Sequence, residues 1–254
     1  MAELRNNLFN YATSELSQDA FICWLCSFSL EGVECDDEEL KKCSRSFICK
    51  LLQKGLGEDV IPEKMVLKEI SKQKEKIDVL LTVEYAGEDY YVILEDKVNT
   101  YEHDDQLNRY RNAIEKDEKN VVCIYFKTGF QSDYSNVEKA GYKVFNRKDL
   151  IPLLMSCNSG NSIFLDFRNY WEDFEKITNS YRELPLKAWP DWQAVNGFFE
   201  ELQDILVGKG LWADYDYVNN KGGGFWGLWY GSSDYDKIEK NSISASFYLQ
   251  IEAK

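Results

Sequence analysis

The sequence contains one histidine, His103, and no apolar run of eighteen residues. A helix that spans a membrane needs about 20 mainly apolar residues, so no membrane-spanning segment is predicted. One imidazole also leaves little material for multi-histidine zinc sites, for a Ser-His-Asp triad or for histidine-based nuclease motifs. Any chemistry in this chain is therefore expected to depend on carboxylates, lysine or cysteine.

Positive charge and paired cysteines are also scarce. The sequence has 30 Lys and Arg residues and 44 Asp and Glu residues, which gives a net charge of −14. This balance disfavours non-specific binding to nucleic acid, and an acidic protein contacts phosphates best through bound metal ions. Seven irregularly spaced cysteines do not form a disulfide framework, and the N-terminal residues lack a secretory signal pattern. We therefore expect a cytoplasmic protein with reduced thiols.

Hydrophobic periodicity predicts an α/β fold in the first two thirds of the chain. Residues 4–30 have a helical apolar face with a break near Thr13–Ser14, where N-cap residues cluster. The further predicted elements are a helix at Glu38–Lys54, strands at 64–70, 76–85 and 90–98, a helix at Asp104–Lys116, strands at 120–128 and 141–147, and helices at Lys148–Met155 and Ile163–Tyr181. This order predicts a mixed β-sheet flanked by helices.

The composition changes from Pro185 onward. A helix at Trp192–Val207 is followed by aromatic, strand-like stretches at 212–218, 224–231 and 242–252. We therefore predict two domains, residues 1–184 and an aromatic-rich α+β extension at residues 185–254, whose role the sequence leaves open. The last residue, Lys254, directly follows an apparent strand, which fits either a compact terminus or a truncated region.

Charged residues interrupt two neighbouring apolar strands. Asp78 lies in the stretch KIDVLL, and Glu95, Asp96 and Lys97 end the stretch VILEDK, beyond a predicted hairpin turn at Ala86–Asp89. Residues two apart share a strand face, so Glu95 and Lys97 can converge with Asp78 while Asp96 points to the opposite face. An ion pair there would contribute only about 0–1 kcal/mol, and unpaired carboxylates are costly in central strands. Paired carboxylates beside a lysine favour a divalent-metal site for phosphodiester hydrolysis.

Asp78 followed by Glu95-Asp96-Lys97 resembles the signature of the PD-(D/E)xK nuclease superfamily. Gln106-x-x-x-Tyr110 is similar to a helix of its RecB-like and lambda-exonuclease-like branches. The stretch 12–25, ATSELSQDAFICWL, resembles the opening helix of an uncharacterised, mostly bacterial family of the superfamily, in which an acidic residue faces the metal site. The resemblance covers roughly residues 8–150. It departs from the superfamily at Ile77, where a proline commonly precedes the first aspartate.

The resemblance implies a restriction-endonuclease-like fold and a nuclease that uses Mg²⁺ or Mn²⁺ to cut nucleic acid, with DNA as the expected substrate. It assigns metal ligation to Asp78, Glu95 and the backbone carbonyl of Asp96. It makes Lys97 the residue that orients water or stabilises charge. Glu15 would be an accessory carboxylate, and Gln106 and Tyr110 would brace the site or the substrate backbone.

Two other classes of function stay open. The chain could be a catalytically silent relative that binds nucleic acid or a partner protein in a defence or repair system. It could also be an acidic interaction protein in which the aromatic C-terminal region governs function. The complete Asp-Glu-Lys set favours the enzyme. The sequence does not decide whether the substrate is DNA or RNA, or whether it is single- or double-stranded. It also leaves open end or internal cleavage, the sequence preference, and whether the protein forms a homodimer or acts with a partner protein.

Overall fold

A computed structural model describes residues 6–103, 105–116, 118, 120–232 and 248–253. The chain divides into two compact units, one of Met1–Gly129 and Tyr134–Glu172 and one of Phe130–Asp133 and Asp173–Lys254. The main division between the units falls inside a helix, between residues 172 and 173. The domain boundary near residue 184 stays a prediction.

The first unit contains helices on both faces of one sheet. In chain order the elements up to the division are α1 (Glu15–Ser27), α2 (Glu38–Leu56), β1 (Met65–Lys72), β2 (Val79–Tyr85), β3 (Glu88–Lys97), α3 (Gln106–Glu115), β4 (Val121–Lys127), α4 (Ser135–Lys139), β5 (Lys143–Asn146), α5 (Arg147–Ser156) and α6 (Ser162–Thr178). Single 3-10 turns lie at Leu8–Asn10, Pro62–Lys64 and Lys74–Lys76.

The sheet is mixed and follows the strand order β1-β2-β3-β4-β5. β1, β2 and β3 pair antiparallel, whereas β3, β4 and β5 pair parallel. The β2–β3 hairpin turns at Ala86 and Gly87, both with positive φ, as a two-residue hairpin loop requires. The mixed sheet with flanking helices confirms the predicted restriction-endonuclease-like fold class.

Local signals account for the ends of the first two helices. Ser14 is the N-cap of α1, at the predicted break. The side chain of Asp37 accepts a hydrogen bond from the Leu40 amide at the start of α2, and Gly57 ends that helix with φ 73°. Glycine adopts this left-handed conformation without a Cβ clash, so the helix ends there.

Two sequence predictions about elements were wrong in detail, and one short helix was not predicted. The segment before residue 15 is a 3-10 turn rather than part of the first helix. The short helix α4 was not predicted, because five residues carry too little periodicity. Asp78 lies just before β2 rather than inside the strand. There the chain passes through three positive-φ residues, Gln73, Glu75 and Lys76, so it enters β2 from a tight connection.

The second unit contains the end of α6, α7 (Trp192–Gly208) and an antiparallel sheet of β6 (Leu211–Val218), β7 (Phe225–Ser232) and β8 (Leu249–Ala253). Two 3-10 turns, Ser180–Arg182 and Leu186–Ala188, precede α7. The core of the second unit includes Phe199, Tyr215 and Leu228. Of the strand predicted at 242–252, residues 242–247 lie outside the described residues. No helix in the described part of the chain is long and apolar enough to cross a membrane.

Candidate active site

The end of strand β3 directs alternate side chains to opposite faces of the sheet. Glu95 and Lys97 share one face, and Asp96 lies on the other. All three side chains are buried, Glu95 and Asp96 completely. Lys97 Nζ donates a hydrogen bond to Glu95 Oε1 and another to the Asp96 carbonyl oxygen at 3.1 Å. The strand therefore places a carboxylate, an ammonium group and a carbonyl oxygen in direct contact.

Asp78 joins this group across the β2–β3 ladder. Its Oδ2 atom accepts a hydrogen bond from the Asp96 backbone amide at 2.9 Å and lies 4.0 Å from Lys97 Nζ. The Asp78 carboxylate is close enough to Glu95 to raise the pKa of the Glu95 carboxyl group. The antiparallel register, with Val79 opposite Leu94, brings these residues together.

Helix α3 contributes Gln106 and Tyr110, four residues and about one turn apart. Gln106 Nε2 donates to Glu95 Oε1 at 2.8 Å and to the Tyr110 hydroxyl at 3.0 Å. Tyr110 belongs to the buried core with Leu107 and Ile114, so its position is fixed by packing. The structure thus connects the two predicted bracing residues to Glu95 through one amide.

Glu15, at the start of α1, contacts the segment that follows β3. Its Oε1 atom accepts hydrogen bonds from the Val98 amide at 3.2 Å and from the Thr100 hydroxyl at 2.5 Å. These contacts are one and three residues beyond Lys97. An accessory role for Glu15 at a metal stays a prediction, and its described contacts hold the chain beside the site.

The sequence interpretation missed two polar residues of α1, Gln18 and Asp19. Gln18 Nε2 donates to Asp96 Oδ1 at 2.5 Å, and the Thr128 hydroxyl donates to Gln18 Oε1 at 3.1 Å. Asp19 is 1% exposed. It follows Glu15 by four positions, so the two share a helix face. The four-residue spacing between Glu15 and Asp19, on a helix expected to be buried, was the signal that could have identified Asp19.

Burial makes the carboxyl groups of this region hard to ionise. It raises the pKa of Glu95 to about 8, and the Asp78 carboxylate adds to the rise. Burial is also the main cause of the raised pKa of Asp78 and of Asp19, the latter to about 6. Burial alone would lower the pKa of Lys97, but Glu95 and Asp78 outweigh it and the pKa is raised. A bound cation would therefore stabilise the ionised forms of these carboxyl groups.

The donor set fits a divalent cation that keeps much of its water. Glu95 Oε2 is buried and has no hydrogen-bond partner in the described structure. Ionised Asp78 and Glu95 against protonated Lys97 would leave one net negative charge in a buried place. Across the described residues, no three His, Cys, Asp or Glu side chains form a cluster able to enclose a metal. Mg²⁺ commonly binds through one or two carboxylates and retains waters, and Asp78 with Glu95 supplies that number.

A mixed sheet that presents an aspartate, a glutamate and a lysine at adjacent strand ends defines a restriction-endonuclease-like site. The chain belongs to the PD-(D/E)XK nuclease superfamily, which it matches over residues 7–176. This range extends beyond the residues 8–150 of the sequence resemblance at both ends. Searches of curated proteins and of solved structures gave no significant match.

Proposed function

We propose that this protein is a nuclease that hydrolyses phosphodiester bonds of DNA with Mg²⁺ or Mn²⁺ as cofactor. Membership of the superfamily implies a nucleic-acid substrate. The observation that carries the proposal is the buried Glu95 oxygen without a hydrogen-bond partner, next to Asp78 and Lys97. A structural ion pair of Lys97 with Glu95 would not require Asp78 as a second carboxylate near the same ammonium group.

The proposed roles follow from the contacts. Asp78, Glu95 and the Asp96 carbonyl oxygen would hold the cation. When bound, it would stabilise charge on the phosphoryl oxygens and lower the pKa of an attacking water. Lys97, which touches Glu95 and the Asp96 carbonyl, would orient that water or stabilise the developing negative charge. Gln106 would fix the orientation of Glu95, and Tyr110 that of Gln106.

The cytoplasm is the proposed compartment. All seven cysteines are free, and five of them are buried. Free thiols persist in a reducing compartment, whereas disulfides form in oxidising ones.

The proposal is tested by incubating the protein with plasmid, linear and single-stranded DNA and with RNA, each in Mg²⁺, Mn²⁺ or EDTA. We expect cleavage of DNA that requires the metal and stops in EDTA. Lys97→Ala, purified in parallel, controls for contaminating nucleases, because a contaminant would cut equally in both preparations. If the wild type cut none of these substrates with either metal, the proposed activity would be refuted.

Gln106→Ala is expected to lower the cleavage rate at limiting metal by roughly 10–100-fold, the usual effect of removing a group that orients a metal ligand. The reason is the lost amide contact to Glu95 Oε1, which leaves that carboxylate free to rotate. The measurement is initial rate against Mg²⁺ concentration. Asn108→Ala, an exposed substitution on the same helix, is the control. A Gln106→Ala enzyme with the metal dependence of the wild type would show that the amide does not support the site.

A further inference from the structure

Lys127 is a buried lysine that the proposed chemistry does not use. It ends strand β4 and pairs with Lys97 across the parallel β3–β4 ladder. Residues in register on neighbouring parallel strands project to the same face, so Lys127 and Lys97 lie side by side at the same end of the sheet. The Lys127 side chain has 0% exposure. A second ammonium group therefore lies beside the candidate active site.

The described structure gives this ammonium few partners. Its Nζ atom donates to the Thr100 carbonyl oxygen at 2.6 Å and lies 4.9 Å from the centre of the Tyr101 ring. Among the described residues no carboxylate forms an ion pair with it. Burial lowers the pKa of Lys127 to about 8, with Lys97 adding to the fall and Glu15, Glu102 and Asp96 opposing it. Ammonium groups have three donors, and a buried cation without an anion is costly.

Holding one carbonyl oxygen does not require a charge. A neutral amide or hydroxyl could donate to Thr100 without the cost of burying a cation. The charge is accounted for if an anion reaches Lys127 in a complex that the free protein lacks. The Tyr101 ring, 42% exposed, is the outward-facing group in contact with the ammonium. Contact between Lys127 and an anion therefore requires a movement of the Tyr101 side chain.

We propose that Lys127 is a substrate-binding residue. It contacts a backbone phosphate of the nucleic-acid strand, next to the phosphodiester bond that is cut at the site formed by Asp78, Glu95 and Lys97. This inference rests on the proposed function for the identity of the anion. A phosphodiester fits because its charge lies on small exposed oxygens that a point-like ammonium can reach. Lys97 serves the reacting phosphate, and Lys127 holds a neighbouring one.

The test separates the charge of Lys127 from its hydrogen bond. Lys127→Gln keeps a hydrogen-bond donor on a side chain one atom shorter but has no charge, Lys127→Arg keeps the charge, and Lys116→Gln is the control at the far end of α3. Removing a buried charge should leave the melting temperature of Lys127→Gln at or above that of the wild type. Binding of short labelled DNA and RNA strands is measured by fluorescence anisotropy with Ca²⁺ in place of Mg²⁺, from ~50 to ~200 mM KCl.

We expect Lys127→Gln to bind roughly tenfold more weakly at low salt, with the slope of log affinity against log salt reduced by about 0.7–0.9, as the loss of one phosphate contact predicts. Lys127→Arg and Lys116→Gln should keep the slope of the wild type. A Lys127→Gln protein with an unchanged slope would overturn the inference, even if its cleavage rate fell.

The outcomes for the two proposals can be told apart. Metal-dependent cleavage by the wild type together with an unchanged Lys127→Gln slope would leave the nuclease standing and reject the phosphate contact. A reduced slope in a protein that cuts nothing would support the contact and reject the nuclease. A wild type that neither binds nor cuts any of the strands would overturn both.

Discussion

Glu95→Gln is expected to lower metal-dependent cleavage by about 10³-fold or more, because it removes the charge of a proposed metal ligand while keeping its shape. Glu95 has one oxygen bound to Lys97 and Gln106 and one without a partner. The amide cannot supply the negative charge that a divalent cation needs at the second oxygen. Asp78→Asn should have an effect of the same order, since Asp78 is the other carboxylate of the pair.

The same substitution is expected to make the stability of the metal-free protein less dependent on pH. The pKa of Glu95 is raised to about 8 in the folded chain, above the unfolded value of about 4.3. Its contribution to stability is complete below the unfolded pKa and is lost as the pH rises through the folded pKa. Between pH 5 and pH 8 in EDTA, the free energy of unfolding of the wild type should therefore fall by on the order of 2 kcal/mol more than that of Glu95→Gln.

Thermal melts in EDTA at pH 5 and pH 8, together with cleavage assays in Mg²⁺, measure both effects. Glu88→Gln, an exposed substitution near the start of β3, is the matched control and should behave as the wild type in every assay. The difference arises because Glu95 is uncharged in the folded wild type at pH 5 and about half ionised at pH 8, whereas Gln is uncharged at both. A Glu95→Gln variant whose stability falls with pH as steeply as that of the wild type, or that still cuts at the wild-type rate, would contradict the assignment of Glu95.

Lys97→Ala is expected to lower the cleavage rate by about 10²–10⁴-fold while metal binding is kept. Its ammonium touches Glu95 and the Asp96 carbonyl and lies 4.0 Å from Asp78, so it is close to every proposed ligand. Removing it leaves both carboxylates in place and makes the pocket more negative. The variant should therefore bind a divalent cation at least as well as the wild type.

Single-turnover cleavage and metal titration by calorimetry test this separation. Lys116→Ala is the control for the loss of a lysine elsewhere in the chain. A Lys97→Ala protein with normal cleavage would exclude a role for the lysine in the reaction. A parallel loss of cleavage and metal binding would instead assign Lys97 to holding the site together.

The core of the site was predictable because it obeys local rules. Glu95 and Lys97 follow the period-two alternation of a strand, and the register set by the hairpin turn at Ala86–Gly87 brings Asp78, just before β2, next to them. Gln106 and Tyr110 follow the four-residue spacing of a helix. Each of these relations joins residues that are close in sequence, so periodicity and turn chemistry were sufficient to place them.

What the sequence did not show depends on contacts between distant elements. The environment of Asp19 is set by the packing of α1 on the sheet, and no local pattern distinguishes it from Glu15 as the more buried carboxylate. Lys127 ends a strand that reads as apolar, and only the parallel pairing with Lys97 shows its position. The location of Asp78 outside β2 depends on positive-φ residues that are not glycines.

The hydrogen bonds from α1 close much longer loops than those among Asp78, the end of β3 and Gln106. Gln18 meets Asp96 across 78 positions, and Glu15 meets Val98 across 83. By contrast, Gln106 reaches Glu95 over 11 positions and the Asp96 amide reaches Asp78 over 18. Longer loops cost more entropy to close, and topologies rich in them fold more slowly. A newly made chain would therefore bring Asp78 and Glu95 together before α1 packs against the sheet, so the proposed site would be complete only when folding is complete.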